Sequence, residues 1–119
     1  MTPDAFAAHI RSTVVDENAD IYRDLFTNPD EDGEDGYWKE ARALFAGLDD
    51  DQKEVFFTIL RQVIVDTTST ILGVVDGTVA LPGIDDDFSL RLGRGPEMAG
   101  DLQDCFLSQE EDDTDGVEF

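Results

Sequence analysis

The hydrophobic pattern of the chain is helical along most of its length. Apolar residues recur every three or four positions, which is the period of an amphipathic α-helix. Four segments share this period: 3–27, 37–47, 50–75 and 97–109. Residues 88–92 instead alternate apolar and polar side chains, and 78–81 could pair with them as a second strand. We therefore predict a mainly α fold, a small helical bundle of about four helices, with a small β-hairpin near 78–92.

Two of the predicted helices have recognisable first residues. Thr2 precedes Pro3, and a threonine cap followed by proline at the first helical position is typical of a helix N-terminus. Asp49–Asp51 stand where the apolar segment 50–75 begins, and both capping and the helix dipole favour carboxylates there. We expect the first helix to weaken or break near 16–20.

The segment 50–75 is the most apolar of the chain. Apolar side chains cover most of its circumference and leave a narrow polar seam that includes Gln62 and Asp66. A helix of this kind lies at the centre of a bundle or at a subunit interface. We predict that it is the central helix, with Ile64 on its buried face. Its longest apolar run, 63–75, is interrupted by polar residues and is shorter than the roughly 20 residues of a membrane span.

The length of 119 residues suits one domain. Residues 110–119 contain six acids and no base, which predicts a disordered acidic tail after a single helical domain at 1–109. The single cysteine, Cys105, has no partner for an internal disulfide, and the first residues lack the basic region of a secretory signal. We therefore expect a cytoplasmic protein.

Charge limits the partners of this chain more than any motif does. It carries 29 acidic residues against 8 lysines and arginines, a net charge of −21. Such a surface repels nucleic acid and anionic membranes and attracts basic proteins or cations. Outside the tail, three runs are the densest and are the predicted partner-binding residues: Asp30, Glu31, Asp32, Glu34, Asp35, Asp49, Asp50, Asp51, Asp85, Asp86 and Asp87.

Two hypotheses account for this acidity. The first is a non-enzymatic binding protein that engages a basic protein surface, such as a nucleic-acid-mimic inhibitor or an immunity-type protein, because carboxylates can imitate phosphates and steer association. The second is a halophile-adapted structural protein, which the excess of twenty Asp over two Lys also fits. In this second reading the apolar helix 50–75 forms a homodimer.

The loop 28–40 is the one candidate for a metal site. Its first six residues match the opening of an EF-hand calcium loop, with oxygen ligands at the first, third and fifth positions and glycine at the sixth. Lys39 occupies the twelfth position, where the bidentate glutamate belongs, and Glu40 follows one residue late. The alternatives are a solvated loop and a weak divalent-cation site with these ligands: Asn28, Asp30, Asp32, Glu34 and Glu40.

Catalytic motifs are weak in this sequence. His9 is the single histidine, and it has no neighbour at metal-ligand or triad spacing. Cys105 lies on the apolar side of a predicted helix among acids, which disfavour a reactive thiolate. The loop at 93–96 lacks the third glycine of a dinucleotide-binding turn. We therefore expect neither enzymatic activity nor a cofactor.

Overall fold

The computed structural model describes residues 1–28 and 36–114, excepting the side chains of 36, 37 and 114. Within these residues the elements are α1 (Pro3–Ile10), a π-helical turn (Arg11–Asp16), α2 (Glu17–Thr27), α3 (Gly36–Ala46), α4 (Asp50–Asp76) and α5 (Leu102–Thr114). The first three follow one another without interruption and form one long N-terminal helix. The described part of the chain therefore contains four helices and no strand, and the predicted mainly α bundle is confirmed.

The N-terminal helix widens in its middle and does not break. It begins as predicted, with the Thr2 hydroxyl accepting a hydrogen bond from the Ala5 amide at 3.1 Å. In the π-helical turn the Glu17 amide donates to the Ser12 carbonyl, five residues back. Such an extra residue is accommodated as a π-bulge while the helix continues. The expected break near 16–20 is therefore absent from the described structure.

Helix α4 has the bounds that its caps dictate. Asp49 and Gln52 form a reciprocal capping box, with side-chain to amide distances of 2.8 and 3.0 Å. At the other end Gly77 adopts a left-handed conformation with φ of +86°, which glycine reaches without the steric cost of a Cβ. The predicted helix 50–75 is confirmed to within one residue.

The buried face of α4 is only partly the one expected. Phe57, Val65 and Leu72 are buried, and Ile64 is half-buried against them. Four other apolar residues of this helix are more than half exposed: Val55, Ile59, Val63 and Ile71. Because both sides of this helix are apolar, periodicity alone does not distinguish the buried stripe from the exposed one. By length and composition α4 could also cross a membrane, a property it shares with core helices of soluble proteins.

The aliphatic core lies where α1, the π-helical turn, the second half of α4 and α5 meet. Its members are 0–5% exposed: Ala7, Val15, Val65, Leu72, Met98, Leu102 and Phe106. Helix α5 approaches α4 closely at Gly73, where an added Cβ would lie 2.7 Å from a Val79 methyl and 2.9 Å from the Gln103 amide nitrogen. The glycine therefore permits this contact between the helices.

The β-hairpin predicted near 78–92 is wrong. The amides of Thr78 and Val79 both donate to the Gly73 carbonyl at 2.9 and 3.1 Å, so they close the end of α4 instead of forming a ladder. Phe88 and Leu92 are exposed, and only Leu90 between them packs toward the core. Segment 77–101 crosses the surface as turns and irregular chain.

Helix α5 starts five residues later than expected because its cap comes from another helix. Both carboxylate oxygens of Asp76, the last residue of α4, accept hydrogen bonds from the amides of Gly100, Leu102 and Gln103 at 2.7–3.1 Å. The helix then continues through Thr114. Residues 110–114, expected in a disordered tail, are therefore its last turns; residues 115–119 lie outside the described residues.

Candidate functional site

Two of the three predicted acidic runs lie on the surface of the described structure. Asp49–Asp51 occupy the N-terminus of α4, and Asp85–Asp87 lie in the irregular segment after it; all six side chains are exposed. Asp49 has a structural role as the helix cap. Asp86 accepts a hydrogen bond from the Asp87 amide at 2.9 Å. Asp50, Asp51, Asp85 and Asp87 accept no hydrogen bond through their side chains from a described residue.

The third acidic run and three of the five metal candidates lie outside the described part of the chain. Asp30, Glu31, Asp32, Glu34 and Asp35 lie outside the described residues. Asn28 and Glu40 are described and exposed, at the end of α2 and on α3 respectively. Among the described residues no three His, Cys, Asp or Glu side chains form a group that could hold a metal ion. The weak cation site at 28–40 stays a prediction.

Acidic side chains face solvent almost everywhere that the structure describes the chain. Over 1–28 and 36–113, every Asp and Glu is exposed except Asp76 and Glu110, which are half-buried. Several of the few basic residues are engaged by acids of the same chain: Arg11, Arg23, Arg61 and Arg91. Acids of the same chain thus offset much of its positive charge, and the outer surface is left negative.

Glu110 is the centre of an ion-pair network that the sequence analysis missed. Its carboxylate accepts bonds from Arg11 at 3.0 and 3.2 Å and from Arg61 at 3.2 and 3.3 Å. Arg11 also pairs with Asp113, and Arg61 pairs with Asp16 at 2.9 Å. Three elements are joined by this network, the π-helical turn, α4 and α5. A charged residue in a segment of like charge offers no sequence signal for such a role.

Glu97 organises the segment that precedes α5. Its carboxylate accepts hydrogen bonds from the Ser89 hydroxyl, from the Leu90 amide at 2.6 Å and from the Met98 amide at 3.1 Å. The bond from Ser89, followed by the bond from Leu90, lowers the pKa of Glu97 to about 2. Bonds to the ionised form favour it. This carboxylate therefore stabilises the fold of 89–98 and is not free to bind a partner.

The residues weighed for catalysis are not assembled into a site within the described structure. His9 is exposed on α1. Burial, followed by a hydrogen bond with Asp4, raises the pKa of the Cys105 thiol to about 11. The thiol is therefore protonated at neutral pH, and a protonated thiol is a poor nucleophile. Residues 93–96 form a turn at the surface.

An aromatic cluster joins α2, α3 and the first turns of α4. Adjacent ring centroids are 4.9–6.4 Å apart, the range of favourable aromatic contacts. Its members are Tyr22, Phe26, Trp38, Phe45, Phe56 and Phe57. Phe26, Phe45 and Phe57 line an open cavity of about 870 Å³. This volume is typical of small-molecule sites.

Four of the chain's eight basic residues line the same cavity: Arg23, Lys39, Arg42 and Lys53. The sequence carried a signal for it. Each of the three helices places a cation three or four residues before a phenylalanine: Arg23 and Phe26, Arg42 and Phe45, Lys53 and Phe57. Residues at this spacing share a helix face. This pattern of cations is separate from the acidic runs that the charge of the chain brings forward.

Comparisons with protein-family models, with curated proteins and with solved structures give no match for the chain.

Proposed function

We propose that this chain is a non-enzymatic binding protein whose acidic surface engages a basic protein, in the manner of a nucleic-acid mimic or an immunity-type inhibitor. The supporting observation is the exposure of Asp50, Asp51 and Asp85–Asp87 on a chain whose arginines are largely paired with its own acids. Loop and helix-start positions can meet a partner without disturbing the core.

Electrostatic steering distinguishes this proposal from halophilic adaptation. Complementary potentials raise the association rate constant above the ~10⁵–10⁶ M⁻¹s⁻¹ of neutral pairs, and the gain falls as salt screens it. An acidic surface that serves only solubility in salt does not depend on any particular acidic cluster. The proposal is therefore tested by neutralising one cluster and comparing the association rate with that of a variant in which the same number of acids is neutralised elsewhere.

The experiment begins with capture of basic proteins from host lysate at low and high salt, followed by kinetics with the recovered partner. The test variant is Asp85→Asn, Asp86→Asn, Asp87→Asn. The control removes the same three charges from dispersed exposed positions: Asp20→Asn, Asp66→Asn, Asp112→Asn. We expect the clustered variant to slow association about tenfold and the control to slow it about twofold. Equal effects of the two variants, or capture that is indifferent to salt, would contradict the proposal.

A second candidate function, self-association, is favoured by the exposed stripe on α4. Val55, Ile59, Val63 and Ile71 are 56–60% exposed. Each step of four residues turns by about 40° around the helix axis, so the four side chains spread over the solvent-facing half of α4. Between 55 and 75 only Arg61 and Asp66 are charged. Asp66 is exposed on this same half, so two copies of this acidic protein would meet less repulsion here than elsewhere, with the Asp66 side chains opposing the contact. The stripe would pack against its symmetry mate as an isologous interface.

Mass in solution tests the second candidate. Under self-association, sedimentation at increasing concentration shows a dimer, and Val63→Asp gives a monomer with unchanged helical content because Val63 is exposed. Thr58→Asp adds the same charge on another side of α4 and should leave the dimer intact. A parent chain that sediments as a monomer throughout would reject this candidate.

A further inference from the structure

We propose that the cavity between α2, α3 and the start of α4 binds a small organic anion with an apolar body. Its floor is aromatic, formed by Phe26, Phe45 and Phe57, and its volume of about 870 Å³ accommodates a molecule of drug-like size. An apolar floor with a few convergent polar groups is the usual composition of a ligand site. The proposal adds a second kind of ligand and does not rest on the proposed function, although Asp50 and Asp51 of the acidic surface also line the cavity.

Among the described residues, the charges that line the cavity differ from those on the rest of the surface. The whole chain has a net charge of −21, yet the described lining residues include four cations against the three acids Asp50, Asp51 and Glu54. Among the described residues, no carboxylate lies within ion-pair distance of Lys39 or Lys53. These two ammonium groups can therefore receive the negative group of a ligand.

The acids and rings of the cavity disfavour a cationic ligand. Glu54 is already held by Arg23, with nitrogen to oxygen distances of 3.2 and 3.3 Å. The Arg23 guanidinium carbon lies 4.2 Å from the Phe57 ring centroid, and the Lys53 ammonium lies 5.2 Å from that of Phe45. Because cations of the chain already cover these ring faces, a ligand cation would gain little from them. The apolar part of an anion can still pack on the ring edges and on Phe26.

Three ligands with the same carbon skeleton test which ligand charge the cavity prefers. They are 4-phenylbutyrate, 4-phenylbutanol and 4-phenylbutylamine, which are anionic, neutral and cationic at pH 7. Trp38 is the single tryptophan of the chain and lies 6.1 Å from Phe26 between ring centroids, so its fluorescence reports on the cavity. A ligand of this size should bind in the millimolar range. We expect phenylbutyrate to bind about fivefold more tightly than the amine at low salt.

The global charge of the protein gives the opposite expectation, because a surface at −21 attracts the amine and repels the carboxylate. Amine binding equal to or tighter than carboxylate binding would therefore overturn the proposal. So would the absence of saturable phenylbutyrate binding up to about 20 mM, which is well above the expected dissociation constant.

A double variant assigns the binding to the named residues. Lys39→Met with Lys53→Met removes both ammonium groups and keeps most of the length of the side chains, and should weaken phenylbutyrate binding about fivefold while leaving phenylbutanol binding unchanged. The control is Arg94→Met, which removes a cation from the exposed turn at 93–96. Amide NMR shifts at Phe45 and Phe57 confirm the location and show that the variant is folded. The assignment would be contradicted if Arg94→Met weakened phenylbutyrate binding as much as the double variant, or if the ligand changed amide NMR shifts only elsewhere in the chain.

Discussion

The aliphatic core and the aromatic cluster bury their side chains to different extents. In the aliphatic core, Val15, Leu102 and Phe106 are fully buried, and α5 closes the core by packing on α1 and α4. In the aromatic cluster, Phe45 and Phe57 are 5% and 8% exposed, while Tyr22 is 38% exposed and a cavity opens beside the rings. One end of the molecule is closed by helix packing, and the other has no helix over its open side within the described residues.

Because of this difference, we expect the two ends of the molecule to have different roles, one in stability and the other in ligand binding. A core packed on all sides is sensitive to the loss of even one methylene group, and the Glu110 ion pairs lie beside it. Rings that border an open cavity, with cations above their faces, can exchange solvent for a ligand without opening the main core. We therefore expect the closed end to determine the free energy of unfolding and the open end to hold the ligand.

The largest effect should come from the closed end. Leu102→Ala leaves a cavity among fully buried side chains and should lower the free energy of unfolding by about 3 kcal/mol. Phe56→Leu changes a half-buried ring at the open end and should cost about 1 kcal/mol. Urea unfolding followed by circular dichroism gives both values.

Trp38 fluorescence supplies the control for this comparison, since its ring belongs to the aromatic cluster. In Leu102→Ala both probes should shift together to lower urea, because the open end depends on the closed one. A Phe56→Leu variant that loses more stability than Leu102→Ala would reverse the comparison.

The sequence predicted those helices whose signals are local. The caps Thr2 and Asp49 and the apolar period determine the N-terminal helix and α4. The start of α5 could not be predicted, because its cap, Asp76, is supplied by the end of another helix 26 residues from Leu102. The hairpin prediction was wrong for a related reason. The amides of Thr78 and Val79 donate to the Gly73 carbonyl, and the alternation of apolar and polar residues at 88–92 carries no information about the acceptors of backbone amides.

The candidate sites were also only partly predictable from the sequence. Net charge correctly indicates that most acids face solvent, but composition does not identify the few that hold the fold, Asp76, Glu97 and Glu110. The cavity was predictable in part, since a cation stands before a phenylalanine in each of three helices. Which helix faces meet was not predictable, because α4 is apolar on both sides and its exposed stripe has the same period as its buried one.

An intermediate effect should come from the ion-pair network beside the aliphatic core. Glu110→Gln removes the charge that two arginines share in a position where the Glu110 side chain is only 12% exposed. We expect a loss of about 2 kcal/mol, less than for a fully buried pair because Arg61 is 35% exposed. The control is Asp112→Asn, which removes a charge from an exposed position of α5 near Glu110. It should leave the free energy of unfolding nearly unchanged. Equal melting midpoints for the two variants would show that the network does not stabilise the closed end.

The smallest effect should come from the segment that leads into α5, and it should disappear in acid. The pKa of Glu97 is lowered in the folded state to about 2 from a usual value of 4.5. A lowered pKa contributes stability that is present above about pH 4.5 and is lost as the pH falls toward 2, because the unfolded chain then binds the proton first. Glu97→Gln should therefore be less stable than the parent at pH 7, and the difference should shrink from pH 5 to pH 2.5 in thermal melts. Glu40→Gln, at an exposed position on α3, is the control and should follow the parent curve. A difference between Glu97→Gln and the parent that stays constant across this range would mean that the hydrogen bonds of Glu97 do not favour its charged form over its protonated form.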